Sequence, residues 1–315
     1  MIKDIFKAAV FLLTSSLPVN AENVESLAEG ISLTEGGPLF IGDTNHACPL
    51  VWQQLYSSST VTALQDAGYK RLLVEITATD YMSGLFDELN NGQLSYDDFI
   101  KDYMAWYLMN DFPNHLGQTR KEVFEKQLEQ SEFYWQLALA GIDVIAVDSA
   151  FNIDDAFHEG GYDISPEELS WFWEMLSQIN SGIRSEVGFC SDFGFTREEI
   201  NNIELRAVAD YLNLPLGVTE EDIKENAEYR KIVDMMTIFF DGRTNDTRLI
   251  DEIEKFLDED TAIIYGNGHI ELANEIWDRG GHIITVNEGR VTAEINNYSD
   301  AYDDIHDGLG YISPP

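Results

Sequence analysis

Pro38 to His46 reads P-L-F-I-G-D-T-N-H, where a short apolar run halts at Gly42 and delivers Asp43, Asn45 and His46 in quick succession. A bounded apolar run of this length fits a buried strand better than a helix. Ligands and catalytic groups of parallel α/β sheets collect just beyond the carboxyl ends of the strands. A carboxylate and an imidazole at such an end are therefore candidates for acid–base chemistry. Ala262 to His269, A-I-I-Y-G-N-G-H, repeats the pattern with a glycine turn and a terminal histidine. Between them lies R-L-L-V-E-I-T, Arg71 to Thr77, which places Glu75 inside an apolar strand. A carboxylate is rarely buried without a partner, so Glu75 belongs either to a site at the sheet edge or to the exposed face of an edge strand. Asp148 ends a further run, Ile142 to Asp148, as a site acid or as the cap of the turn that follows. Arg243, in the turn Asp241 to Asp246, is suited to an anionic group or a site carboxylate, or to a surface ion pair.

These residues need a scaffold, and the pattern around them supplies one. A strand at Leu39–Ile41, a helix from Pro49 to Ala67 closed by Gly68, and a strand at Arg71–Thr77 make a βαβ unit and imply a parallel sheet. Helices follow at 82–89, 96–109 and 120–140, then the strand ending at Asp148. Ser165-Pro166-Glu167-Glu168 starts another helix, which carries the aromatic stretch Trp171, Phe172 and Trp173, core residues or the cover of an apolar ligand. Further helices are expected at 196–212, 219–240 and 247–257. Strands at 262–265, 282–286 and 290–295 close the chain, the last two as a hairpin. The fold class expected is α/β: a mostly parallel central sheet flanked by helices, with helical insertions at about 82–140 and 165–258 and an antiparallel C-terminal edge. Residues 22–315 read as a single domain. Asp87 to Asp98 imitates a calcium loop, but Leu89 stands where a ligand is required and Asp98 replaces the terminal glutamate. It reads instead as two helices with a capping Ser95.

The composition narrows the partners. Of 315 residues, 57 are acidic and 19 are Lys or Arg, a formal net charge of -38. Such a surface repels phosphates and anionic lipid, which disfavours nucleic acid and polybasic membrane docking. It serves solubility, or it meets a cationic ligand. Residues 1–21 have the form of a signal peptide: Lys3 and Lys7, an apolar stretch from Ala8 to Leu17, and an A-x-A-like site at Val19-Asn20-Ala21. The stretch is shorter than the about 20 residues a membrane span needs, so export to a periplasmic or extracellular space is expected, with no transmembrane span. Cys48 and Cys190 are the only cysteines; Cys48, two residues past His46, is either a Cys–His nucleophile or a buried or disulfide-bonded residue.

With the motifs placed, the sequence resembles the erythromycin esterase/ChaN-like (Tiki) superfamily. The resemblance rests on G-D-T-N-H, on L-L-V-E-I after A-G-Y-K, and on R-T-N-D followed by Y-G-N-G-H-I, in that order across most of residues 38–286. The step from Gly42 to His46 looks more like the esterase branch than the haem-binding or Tiki branches. Asp43 stands where that family usually carries glutamate, which shortens the carboxylate's reach. The resemblance implies a hydrolase acting on a small-molecule or peptide substrate. In it His46 would be general base to a water, with Glu75 orienting the imidazole and Asp43 assisting. His269 or Arg243 would stabilise the oxyanion, and Asn45, Asp148 and Asn267 would contact substrate. The same residues suit other readings. A divalent metal, Zn or Mn, fits among His46, His269, Glu75 and Asp43. A haem carrier would use a tyrosine or histidine as axial ligand, and an exported effector would meet a host protein. No G-x-S-x-G elbow occurs, so a serine α/β-hydrolase has no support.

Overall fold

The computed structural model describes residues 22–34, 36–43, 48–109, 118–148, 157–158, 160–188, 190, 197–215, 217, 219–243, 247–266, 269–287 and 290–294. The expected signal peptide, and Asn45, His46 and Asn267, lie outside the described residues. In chain order the elements are β1 (Glu22–Val24), α1 (Leu27–Ser32), β2 (Leu39–Asp43), α2 (Pro49–Leu55), α3 (Ser58–Asp66), β3 (Arg71–Thr77), α4 (Asp80–Asn90), α5 (Tyr96–Met109), α6 (Arg120–Leu139) and β4 (Asp143–Asp148). There follow α7 (Pro166–Val187), α8 (Arg197–Tyr211), α9 (Glu220–Glu225), α10 (Ala227–Arg243), α11 (Thr247–Ile253), β5 (Thr261–Gly266), α12 (Ile270–Asp278), β6 (His282–Asn287) and β7 (Arg290–Glu294).

The chain is α/β. Its sheet runs β1-β7-β6-β2-β5-β3-β4, and β6, β2, β5, β3 and β4 are all mutually parallel. β7 pairs antiparallel with β6, and β1 with β7. The two strands at the centre, L-F-I-G-D and T-A-I-I-Y-G, are buried at every position. This is why they read as continuous apolar runs: a parallel strand covered on both faces has no solvent side to alternate with. On one face Phe40, Leu73, Val147, Ile263, Tyr265 and Ile283 meet Leu249 and Ile253 of α11 and Leu272, Ala273 and Ile276 of α12. On the other, α1 and α2 lie against β6, and α4 against β4. Asn90 at the end of α4 secures the edge strand β4: its Nδ2 donates to Val144 O and its Oδ1 accepts from Val144 N, both at 3.0 Å. Rings from α4, α5 and α6 pack edge to face, with Phe86 5.6 Å from Tyr134 and Tyr103 5.9 Å from Tyr134.

The described residues divide into two compact units, one drawn from 22–109, 123–148 and 247–294, the other from 118–122 and 157–243. The first holds the sheet. The second holds α7 to α10 around its own core, in which Phe172 is fully buried and meets Phe157 and Phe239 at 5.8 and 5.7 Å. Core packing is therefore the role of Phe172. α7 begins as expected, with a capping box in which Ser165 and Glu168 satisfy each other's backbone N–H.

Two helices differ from the sequence reading. The helix expected over Pro49–Ala67 is two, α2 and α3, because the Ser57 hydroxyl accepts the Thr60 N–H and opens a new helix there. The helix expected over 219–240 breaks at Asn226, whose Oδ1 accepts from Glu228 N and Tyr229 N. Its second half runs on through Arg243, so Arg243 ends a helix rather than lying in a turn that starts one.

Candidate functional site

The end of β5 is where the chemistry gathers. Asp43, the last residue of β2, is 3% exposed and stands in register with Gly266 on one side and Val286 on the other. Glu75 reaches the same residue from β3. β3 pairs with β5 from Arg71 to Val74, and against β4 its register shifts between Val74 and Thr77. Such irregularities re-aim side chains beside functional sites. Here the Gly266 N–H donates to Glu75 Oε2 at 2.7 Å, a carboxylate standing where a ladder carbonyl would otherwise be. On the other side of that residue the His269 N–H donates to Gly266 O at 3.1 Å. Glu75 and His269 thus hold the two ends of one residue.

His269 is 6% exposed, and its ring meets Tyr265 edge to face at 4.5 Å. The Tyr265 hydroxyl donates to Asp148 Oδ1 at 2.7 Å. Asp43, Glu75, Asp148 and His269, drawn from four strands or their exits, are therefore joined through Tyr265 and Gly266 on one rim. Arg243 belongs to the other compact unit, and its side chain is outside the described atoms.

Sequence reasoning missed polar groups that feel the charges of Asp43 and Glu75. Tyr56, at the break between α2 and α3, accepts a hydrogen bond from Gln130 Nε2 at 2.6 Å. Lys126, one turn before Gln130 on α6, lies 4.9 Å from the centre of the Trp52 ring, within the range of a cation–π contact. Its burial depresses the lysine pKa, and the charges of Asp43 and Glu75 oppose that shift. The stripe Lys126, Gln130, Tyr134 is a legible signal in retrospect, since polar groups at four-residue spacing share one helix face.

The phenols around the rim are held neutral. Burial, then the carboxylate of Asp43, raises Tyr56 well above its ordinary value. Burial pushes Tyr107 up to about 12, with Asp148 and Glu75 adding to the rise and a hydrogen bond with Tyr103 opposing it. Burial also raises Tyr103 and Tyr134. A raised phenol pKa means that folding favours the protonated form. This contribution is complete below the unfolded value of about 10 and is lost as pH rises through the folded values, about 12 for Tyr107. Stability in urea should accordingly decline from about pH 10 upward. In a phenolate absorbance titration these tyrosines should stay silent until the chain unfolds; ionisation in the folded protein alongside exposed tyrosines would contradict the arrangement.

Cys48 is fully buried, and both Cys48 and Cys190 are disulfide-bonded. Neither presents a thiol, so the Cys–His nucleophile reading of Cys48 falls. Among the described residues no three His, Cys, Asp or Glu side chains are grouped to hold a metal ion, and no helix is long and apolar enough to cross a membrane. No family model, curated protein or solved structure matches this chain.

Proposed function

We propose that this chain is an exported hydrolase of the erythromycin esterase/ChaN-like type, in which histidine and carboxylate groups activate water against an ester or amide. The observation that supports it is the meeting of Asp43, Glu75 and His269 around Gly266 at the carboxyl rim of the parallel sheet. Glu75 is held by a backbone N–H and so stays oriented, as a carboxylate that steers an imidazole must be. His46, three residues past Asp43, is the proposed base, and Asp43 assists it. His269, set by Tyr265 and Gly266, is the proposed oxyanion donor. Asn45, Asp148 and Asn267 are proposed substrate contacts. Two disulfide-bonded cysteines support an oxidising, exported setting.

The test is a panel of esters and peptides offered to the purified protein, to His46→Ala and to His269→Ala, each with and without a chelator. Turnover by the native chain should fall by about 10²- to 10⁴-fold in His46→Ala. Equal turnover by both proteins would remove His46 from the chemistry, and loss on chelation alone would assign the water to a metal.

A further inference from the structure

The backbone of His269 is held at both ends. Its N–H donates to Gly266 O and its carbonyl oxygen accepts from Ala273 N, each at 3.1 Å. What is left to fix is the imidazole. His269 is the N-cap of α12, where a side chain ordinarily turns back to satisfy a helix N–H, yet its side chain makes no capping hydrogen bond. The ring lies instead against Tyr265, the centroids 4.5 Å apart and the planes crossing at 84°. Tyr265 is 1% exposed and packs with Leu249, Ile253 and Leu272 in an apolar layer, a setting that phenylalanine would fill with no polar atom to satisfy. A buried tyrosine needs a partner for its hydroxyl, and Tyr265 finds one in Asp148 Oδ1 at 2.7 Å. β3 stands between β5 and β4, so the phenol reaches past a whole strand to make this bond. A carboxylate acceptor makes it a strong one. The ring is thereby fixed at its Cα on β5 and at its hydroxyl on β4, and the imidazole rests on a surface anchored at both ends.

We infer that Asp148 and Tyr265 are positioning residues for His269: the carboxylate anchors the phenol, and the phenol fixes the orientation of the imidazole. This deepens the hydrolase reading and rests on it for what the imidazole does, though not for how it is held. The anchoring commits Oδ1 of Asp148, a duty apart from the substrate contact proposed for that residue. Groups that act on a reacting atom must be held to within about 0.5 Å of their productive geometry, and about 1 Å of misplacement can cost about 10²-fold in rate. Loss of the anchor therefore reaches kcat and spares KM.

The experiment reads the imidazole and the chemistry separately. In protein carrying isotope-labelled histidine, the His269 signal is assigned by its absence from His269→Gln, and relaxation of its Cε1–H bond reports ring order with no substrate present. Tyr265→Phe keeps the ring and deletes the hydroxyl. The His269 order parameter should then fall from the about 0.85 of rigid groups towards the about 0.6 of flexible ones. On the best ester of the panel kcat should fall by about 10²-fold, with KM within about twofold of native. Asp148→Ala should loosen the ring equally, and the double variant no further than either single. Asp148→Asn, whose amide oxygen accepts the same hydrogen bond, should restore native order. A merely structural pair would leave the imidazole as ordered in Tyr265→Phe as in the native chain, which would overturn the inference. A ring as mobile in Asp148→Asn as in Asp148→Ala, or a loosened ring with native kcat, would overturn it too. Should Tyr265→Phe fail to fold, the two Asp148 variants decide. A ring that loosens in a protein that cleaves nothing on the panel would refute the hydrolase and keep the positioning; native order and native turnover in Tyr265→Phe would do the reverse.

Discussion

Glu75→Gln should lower turnover by about 10²- to 10⁴-fold while leaving the melting temperature close to that of the native chain. The two effects separate because Glu75 has two duties. Its Oε2 accepts the Gly266 N–H, and a glutamine oxygen can accept the same bond, so the end of β5 stays tied. Its negative charge is what would hold an imidazole in the basic orientation, and glutamine has none. Glu75→Ala removes both. It leaves a buried backbone donor unpaired at about 1–3 kcal/mol and should lower activity and stability together. Kinetics and thermal melts on the pair decide between duties. Glu75→Gln with native turnover would show that the carboxylate is only a structural acceptor.

The largest effect on stability is expected far from the rim, at Gly281. A Cβ there would lie 2.3 Å from Pro38 O and 2.7 Å from both the carbonyl oxygen and Cγ2 of Ile276. Two of these three are backbone atoms already engaged, since Pro38 O accepts the His282 N–H and Ile276 O accepts the Gly281 N–H. Nothing flexible is available to yield except at Cγ2. β2 and β6 begin their pairing at Leu39 and His282, immediately beside the clash. Gly281→Ala should therefore cost about 3 kcal/mol, the upper end for overpacking, and lower the melting temperature by roughly 5–10 °C. Gly84 is the control. It lies inside α4 with open space where a Cβ would go, so Gly84→Ala should stabilise the chain by about 0.5–1 kcal/mol. A melt in which both alanines behave alike would mean that the contacts at the start of β6 are not those described.

Much of the frame was legible because its causes are local. Leu39–Ile41 and Ala262–Tyr265 announce themselves as central strands by being apolar on both faces, a direct consequence of two-sided burial. The acids and the histidine that follow them, Asp43 and His269, are placed by the strand ends and need no distant partner to be found. Helix starts such as Ser165 were equally plain, since a cap satisfies backbone groups within three residues of itself. Glu75 could be suspected from its burial pattern alone, but its partner could not.

What only the tertiary structure decided depends on residues far apart in the chain. The order β6-β2-β5-β3-β4 sets Asp43 opposite Gly266, and no periodicity encodes which strand lies beside which. The register shift after Val74 that frees Glu75 for Gly266 is a property of three strands at once. The break at Ser57, which presents Tyr56 to Gln130 on α6, looked like a continuous helix because its apolar spacing continues across it. Lys126 and Gln130 read as ordinary polar positions of a long helix, since a helix face acquires its surroundings only when something packs against it. The sequence by itself determined which residues can do chemistry; long-range pairing determined which of them meet.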